Sequence, residues 1–247
     1  MRIEINPIRV LRWHFLCILL LTLAHLAVCW MKLEADHDHL MGLTQRFQLF
    51  TEASIPSFFS AAMLVVAAVI AAVLSQVEGG RRARNGRAWA FITALLLFMA
   101  VDEAAMIHEI ANNLGQRRQA DGMLYYLWVL PFGGVALVCM AILLPFWWRL
   151  PRHTKWWLAV AAALFLASAI GMELVEAALV AEAGERAAYA RWDVIAAMTV
   201  EESGEMLAVG IAIYALLQRL ALAQGTYGRV RIEVPSRPPA DGYRSTF

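Results

Sequence analysis

The sequence predicts an all-α integral membrane protein of six transmembrane helices, and three observations carry that prediction. Hydrophobic residues make up 61% of the 247-residue chain, against about 45–50% in a soluble domain. The excess is gathered into six long apolar blocks, each near the roughly 20 residues that cross a bilayer as a helix. Fifteen of the 21 Lys and Arg residues fall on alternate connections between those blocks, the bias that sets membrane topology.

The spans are expected at 11–31, 56–76, 88–110, 124–147, 156–180 and 194–218. The first follows Arg2, Arg9 and Arg12, as a signal peptide would. Its apolar run is too long for one, contains His25 and lacks a small-x-small cleavage site, so it reads as a retained helix. Arg81, Arg82, Arg84 and Arg87 lie between spans 2 and 3. Arg149, Arg152 and Lys155 lie between spans 4 and 5, and Arg219, Arg229, Arg231, Arg237 and Arg244 follow span 6. The expected topology is therefore N-in and C-in, with Trp147, Trp148, Trp156 and Trp157 forming an aromatic belt at the inner face. Residues 1–220 form the transmembrane domain in this reading, and the polar, Pro-rich segment 221–247 a disordered cytosolic tail. A net charge of +1 points to no nucleic-acid partner. Cys17, Cys29 and Cys139 lie in apolar blocks with no C-x-x-C spacing, as packing thiols do.

Ionisable residues interrupt three of the spans. Span 3 carries Asp102, Glu103, His108 and Glu109; span 5 carries Glu173 and Glu176; span 6 carries Glu201, Glu202 and Glu205. At ~1.5 Å of rise per residue, Asp102 and Glu173 lie roughly 20–25 Å above the inner face. Span 6 runs the other way, and Glu201 to Glu205 lie roughly 10–17 Å below the outer face. Helices of opposite direction thus bring their acids to one level in the outer half of the membrane. His25, on span 1, falls at a similar depth. Glu173 with Glu176, Glu202 with Glu205 and Glu201 with Glu205 are spaced to share a helix face. Asp102, Glu109 and Asn113 form one stripe of a continuous helix, His108 and Asn112 a row beside it, and Glu103 points elsewhere.

Each acid costs about 2.5–3.5 kcal/mol at mid-membrane, so eight standing alone would cost about 20 kcal/mol or more. The span cores offer no Lys or Arg in compensation. Shared protons, a bound cation or a water-filled cavity must supply it. Carboxylates with histidine suit iron, manganese or zinc, and di-iron bundles array Glu and Glu-x-x-His on facing helices. The expected ligands are Asp102, His108, Glu109, Glu173, Glu176, Glu202 and Glu205 around one or two metals, with His25 as a further candidate. Glu103 or Glu201 is the expected general base or proton donor. Protonated glutamates bonded across helices as structural glue are the plainer alternative, but eight at one level exceed that need. Haem held by His25 and His108 would leave the glutamates unexplained. The segment EADHDH, with Asp36, His37, Asp38 and His39, reads as a solvated polar loop.

The pieces DEAAMIHE (102–109), LWVLP (127–131), GMELVE (171–176) and EESGEML (201–207) resemble an uncharacterised group of bacterial multi-pass membrane proteins. That resemblance covers most of the chain from span 3 onward and implies membership without an activity. Glu201-Glu202 and His108-x-x-x-Asn112 are also similar to the EExxxR and HxxxN-like motifs of CAAX-type intramembrane metalloproteases. Here Met206 occupies the arginine position and the motif order is reversed, so peptidase activity is a minor alternative. Seven-helix hydrolases with a three-histidine zinc site fit less well, since too few core histidines are present.

The expectation is a membrane-embedded metal-dependent enzyme, an oxidoreductase or hydrolase, in the bacterial inner membrane. It would act from the outer side on a lipid or lipid-soluble substrate, with membrane lipids as its surroundings. The rivals are a proton-coupled or cation transporter and an accessory subunit of a membrane complex.

Overall fold

The computed structural model describes residues 2–35, 40–51, 53–80, 83–108, 128–226 and 228–233. In chain order these form β1 (Arg2–Ile5), α1 (Pro7–Leu33), α2 (Leu43–Phe47), α3 (Ile55–Gly79), α4 (Ala83–Ala105) and α5 (Val129–Arg149). Then follow α6 (Arg152–Leu166), a π-helical turn (Ala167–Met172), α7 (Glu173–Ala183), α8 (Glu185–Ala188), α9 (Trp192–Ala223) and β2 (Val230–Glu233). Among the described residues, six units are long and apolar enough to cross a membrane: α1, α3, α4, α5, the continuous run α6–π–α7, and α9.

Local chemistry sets the helix starts. The Asn6 side chain accepts from the Ile8 N–H at 3.1 Å, and Pro7 opens α1 with its φ already helical. Ser54 and Ser57 exchange reciprocal bonds in a capping box at the start of α3. The α3–α4 pair closes on two glycines. A Cβ on Gly86 would lie 2.6 Å from the Gly79 Cα, so only hydrogen fits there. The Ser75 hydroxyl bonds the Gly86 carbonyl at 2.9 Å beside that contact.

The last helix is the centre. α9 packs against α1, α3, α6, the π-turn and α7, and its C-terminal half supplies Ile213, Leu216, Leu217 and Leu220 to the main core. Trp89 of α4 is wholly buried, edge-on to Phe146 of α5 at 5.0 Å. α5 lies at the periphery, where Leu137 is 65% exposed and Val138 59%. Such a face suits a helix bathed in lipid.

A polar seam joins α1 to α9. The His14 Nε2 bonds the Met206 carbonyl at 2.8 Å, Thr22 and Ser203 hydroxyls meet at 3.0 Å, and His25 Nε2 bonds Thr199 Oγ1 at 3.1 Å. Interhelical bonds of this kind are a main source of specific association inside a bilayer. A second tie crosses the other end of α9. The Arg219 Nε donates to the buried Glu78 carboxylate of α3 at 2.7 Å, and Asn85 donates to its other oxygen at 3.2 Å.

Two expectations change here. Residues 221–247 were expected as a disordered tail, yet Val230–Glu233 form β2, antiparallel to β1 with Glu4 opposite Arg231 and Ile5 opposite Val230. Glu4 accepts from Arg229 at 2.7 Å, and Val230 is buried against the core, which together fix the strand. Residues 234–247 lie outside the described residues. The strand pair places both ends of the described chain at one end of the bundle. Span 3 was expected as a continuous helix over 88–110, but α4 stops at Ala105, and Met106 takes a left-handed φ of 55°.

Candidate functional site

Above the main core lies a cavity of about 300 Å³. Its walls include Asp102 and Glu103 at the end of α4, His108 just beyond, Glu173 and Glu176 of α7, and Glu201, Glu202 and Glu205 of α9. Seven carboxylates from three spans, separated by up to a hundred residues of chain, therefore open on one space. No Lys or Arg lines it among the described residues.

The break at Met106 shapes the α4 wall. A non-glycine residue at that φ costs about 1–2 kcal/mol. Asp102 offsets part of that cost: its Oδ1 accepts from the His108 N–H at 2.9 Å, and its Oδ2 meets His108 Nδ1 at 3.2 Å. The Asp102 side chain thus caps the chain past the break and holds the imidazole at the cavity wall. The break at Met106 interrupts the helix between Asp102 and the rest of the expected stripe. Glu109, Asn112 and Asn113 lie outside the described residues. Glu103, expected to point elsewhere, lines the cavity instead. One helical residue from Asp102, it needs only a broad wall.

On the facing side, the π-turn at Ala167–Met172 widens the helix immediately before Glu173. Such turns are frequent at functional sites. The Glu173 Oε1 accepts from Trp128 Nε1 at 2.7 Å. Trp128 also stands 5.2 Å from the His108 ring, centre to centre, and 5.5 Å from Phe132. One indole therefore links the α4 and α7 walls.

Glu173, Glu176 and Glu201 come closest together, each offering an oxygen within 4.8 Å of the others. Two oxygens opposed on one ion at ~2.1 Å stand roughly 4.2 Å apart, so small side-chain rotations bring this trio onto a single cation. Glu176 and Glu201 are buried, at 6% and 8% exposure. Glu201, expected as a base, is thus grouped with Glu173 and Glu176, which were expected as ligands. Glu202 and Glu205 line the cavity beside them.

His25 does not join the site. It is fully buried, its Nδ1 accepts the Leu49 N–H at 3.1 Å, and its Nε2 faces Thr199 Oγ1. A backbone N–H on Nδ1 requires the lone pair there, so the ring is neutral and carries its proton on Nε2. With both nitrogens engaged and the ring edge-on to Phe50, it is a packing histidine. The polar segment 36–39 lies outside the described residues.

The cavity has two chemically distinct ends. Beyond the acids, toward the end that carries β1 and β2, it is floored by Met99, Phe165, Leu64 and Val209. Each lies on its own helix on the terminal side of the polar residues. At the other end stand Thr51, Ser57, Phe50 and Tyr189, with Phe50 and Tyr189 rings 6.0 Å apart. Sequence reading missed Trp128 and Tyr189. The LWVLP motif carried a signal for Trp128, since an indole at a span end has a donor to place.

Residues 13–220 match the family described as a domain of unknown function (DUF8692), and the chain belongs to that family. The match takes in the acids of all three spans and stops short of β2. No curated protein and no solved structure matches the chain.

Proposed function

We propose that this DUF8692 protein is a membrane-embedded, metal-dependent enzyme acting on a lipid or lipid-soluble substrate. The observation that carries the reading is the trio of Glu173, Glu176 and Glu201, whose oxygens lie within 4.8 Å of one another in a cavity with no basic lining residue among those described. An acid set of this size, gathered on one cavity in a bilayer, suits a cation. The donor set is all oxygen with one imidazole near, which suits iron, manganese or zinc. Glu173, Glu176 and Glu201 would hold the first ion. Glu202, Glu205 and the Asp102–His108 pair stand ready for a second. A bound metal would supply Lewis acidity and an activated water or oxygen at the acid level.

The chain's own residues do the remaining work. Glu103 lies on the α4 wall opposite the trio and is the group to move a proton at the reacting atom. Trp128 fixes the Glu173 carboxylate through its N–H. Asp102 fixes His108. The apolar floor of Met99, Phe165, Leu64 and Val209 receives the hydrocarbon part of a substrate and excludes water beneath the polar groups. The positive-inside bias supports placing the floor toward the cytosol and the acids in the outer half of a bacterial inner membrane. The same floor weighs against the transport reading, since it interrupts any polar route with a packed apolar layer.

Elemental analysis of the detergent-purified protein tests the proposal. Wild type is expected to hold one or two equivalents of iron, manganese or zinc. A Glu173→Gln/Glu201→Gln variant that stays monodisperse is expected to lose nearly all of it. A folded wild type that neither carries metal nor takes up added metal would overturn the reading. Proton flux in proteoliposomes that depends on Glu202 or Glu205 would replace it with transport.

A further inference from the structure

α4 and α5 part company at the end away from the acids, leaving a second cavity of about 370 Å³ between them. Arg84 and Arg87, from the first turns of α4, and Arg149, the last residue of α5, surround it. Phe91, Ile142 and Leu143 form its apolar wall. No carboxylate lines it among the described residues. The acids of α4 lie some eighteen residues further along, roughly 27 Å away, so the two cavities are separate sites.

The charge and the shape each narrow the occupant. Three arginines line the groove, with no carboxylate beside them in the described lining, which suits an anion, and the planar arginine fork matches phosphate oxygens. The Arg149 guanidinium lies 6.0 Å from the centre of the Phe146 ring, which steadies it at the rim of the groove. Arg84 and Arg87 sit at the start of a spanning helix, the level of lipid headgroups. Ile142 is 56% exposed, so the apolar wall runs out to the lipid-facing surface of α5. Pro145 within α5 removes one helix hydrogen bond beside the groove, which lets that helix lean away from α4. Free phosphate would satisfy the arginines and leave the apolar wall wet. An amphiphile satisfies both.

We propose that this groove binds an anionic phospholipid, with its phosphate on Arg84, Arg87 and Arg149 and an acyl chain along Phe91, Ile142 and Leu143. The lipid fills the gap that protein side chains leave between α4 and α5, and so completes the bundle at the end carrying β1 and β2.

Native mass spectrometry of the full chain, offered phosphatidylglycerol and phosphatidylcholine in equal amounts, tests this. One equivalent of phosphatidylglycerol is expected to stay bound in clear preference. Retention should fall roughly fivefold for each arginine removed, on the order of a hundredfold for the Arg84→Ala/Arg87→Ala/Arg149→Ala variant. The Arg84→Ala/Arg87→Ala double variant, whose side chains are exposed, carries the test if the triple variant does not fold. Arg9→Ala/Arg12→Ala, exposed and basic at the same end, is expected to bind as wild type. Equal retention of the two lipids, or equal loss in the Arg9/Arg12 variant, would overturn the proposal. Displacement of phosphatidylglycerol by millimolar inorganic phosphate would also overturn it, in favour of a free-phosphate site.

Discussion

Gly204 sits where α9 crosses the widened turn ahead of Glu173. A Cβ built on it would lie 2.1 Å from the Ser168 hydroxyl oxygen and 3.1 Å from the Ser168 Cβ. The close crossing brings Glu201 and Glu205, on either side of Gly204 in α9, up to the α7 wall. Gly204→Ala is therefore expected to destabilise the protein by about 1–3 kcal/mol through overpacking. Ser168→Ala in the same chain should recover part of that, because it removes the nearer atom. Thermal unfolding in detergent of the two single variants and the double variant checks this. Strict additivity would show that the two residues do not meet. Neither position was legible in the sequence, where Ser168 and Gly204 are ordinary small residues of membrane helices. Small size acquires meaning only once the partner helix is known. The acids were legible because charge in an apolar run carries its cost on its face. Even so, the pairing of Glu201 with Glu173 and Glu176 needed three dimensions, since spacing along one helix favoured Glu202 with Glu205.

Among the elements, the α1–α9 pair shows how polar groups divide between structure and site. Thr199, Ser203 and the Met206 carbonyl turn toward α1, while Glu201, Glu202 and Glu205 turn toward the cavity. One helix thus carries a stabilising face and a chemical face. His25→Phe leaves the Leu49 N–H without its acceptor, at about 1–3 kcal/mol for a buried group left unsatisfied, while the Thr199 hydroxyl keeps its bond to the Ile195 carbonyl at 2.6 Å. The variant is expected to melt earlier and, under the proposed metal reading, to hold as much metal as wild type, read side by side on one preparation. Loss of metal with an unchanged melt would return His25 to the site. The six spans themselves were legible to within a few residues at most ends, because length and apolar composition determine them. The end of α4 was not. VDEAAMIHEI contains no glycine or proline, and the break at Met106 rests on a side chain, Asp102, bonding two positions of a residue six further on.

At the scale of the molecule, β1 and β2 join segments more than two hundred residues apart in the chain. Each strand alternates Arg or Glu with Ile or Val over four residues only, too short a pattern to stand out, and its partner lies at the far end of the sequence. The pairing therefore escaped sequence reading. It carries a topological prediction. Ile3 and Ile232 stand directly opposite, so Ile3→Cys and Ile232→Cys should react with a membrane-impermeant thiol reagent from the same side of the membrane. On a cysteine-free background, neither should react when the reagent is added outside intact cells, as the positive-inside bias requires. Labelling from opposite sides would remove the strand pair. Labelling of both from outside would invert the topology.

The central position of α9 also bears on how the protein is made. Every other spanning unit except α4 and α5 packs directly on it, and it follows all of them in the chain. As a ribosome feeds the spans into the membrane in order, α4 and α7 must wait in lipid with their carboxylates before the helix that completes their cavity emerges. The acid-bearing spans are thus at their most vulnerable during biosynthesis. A chain stalled before Trp192 would present quality control with exposed intramembrane acids, and a completed chain would hide them.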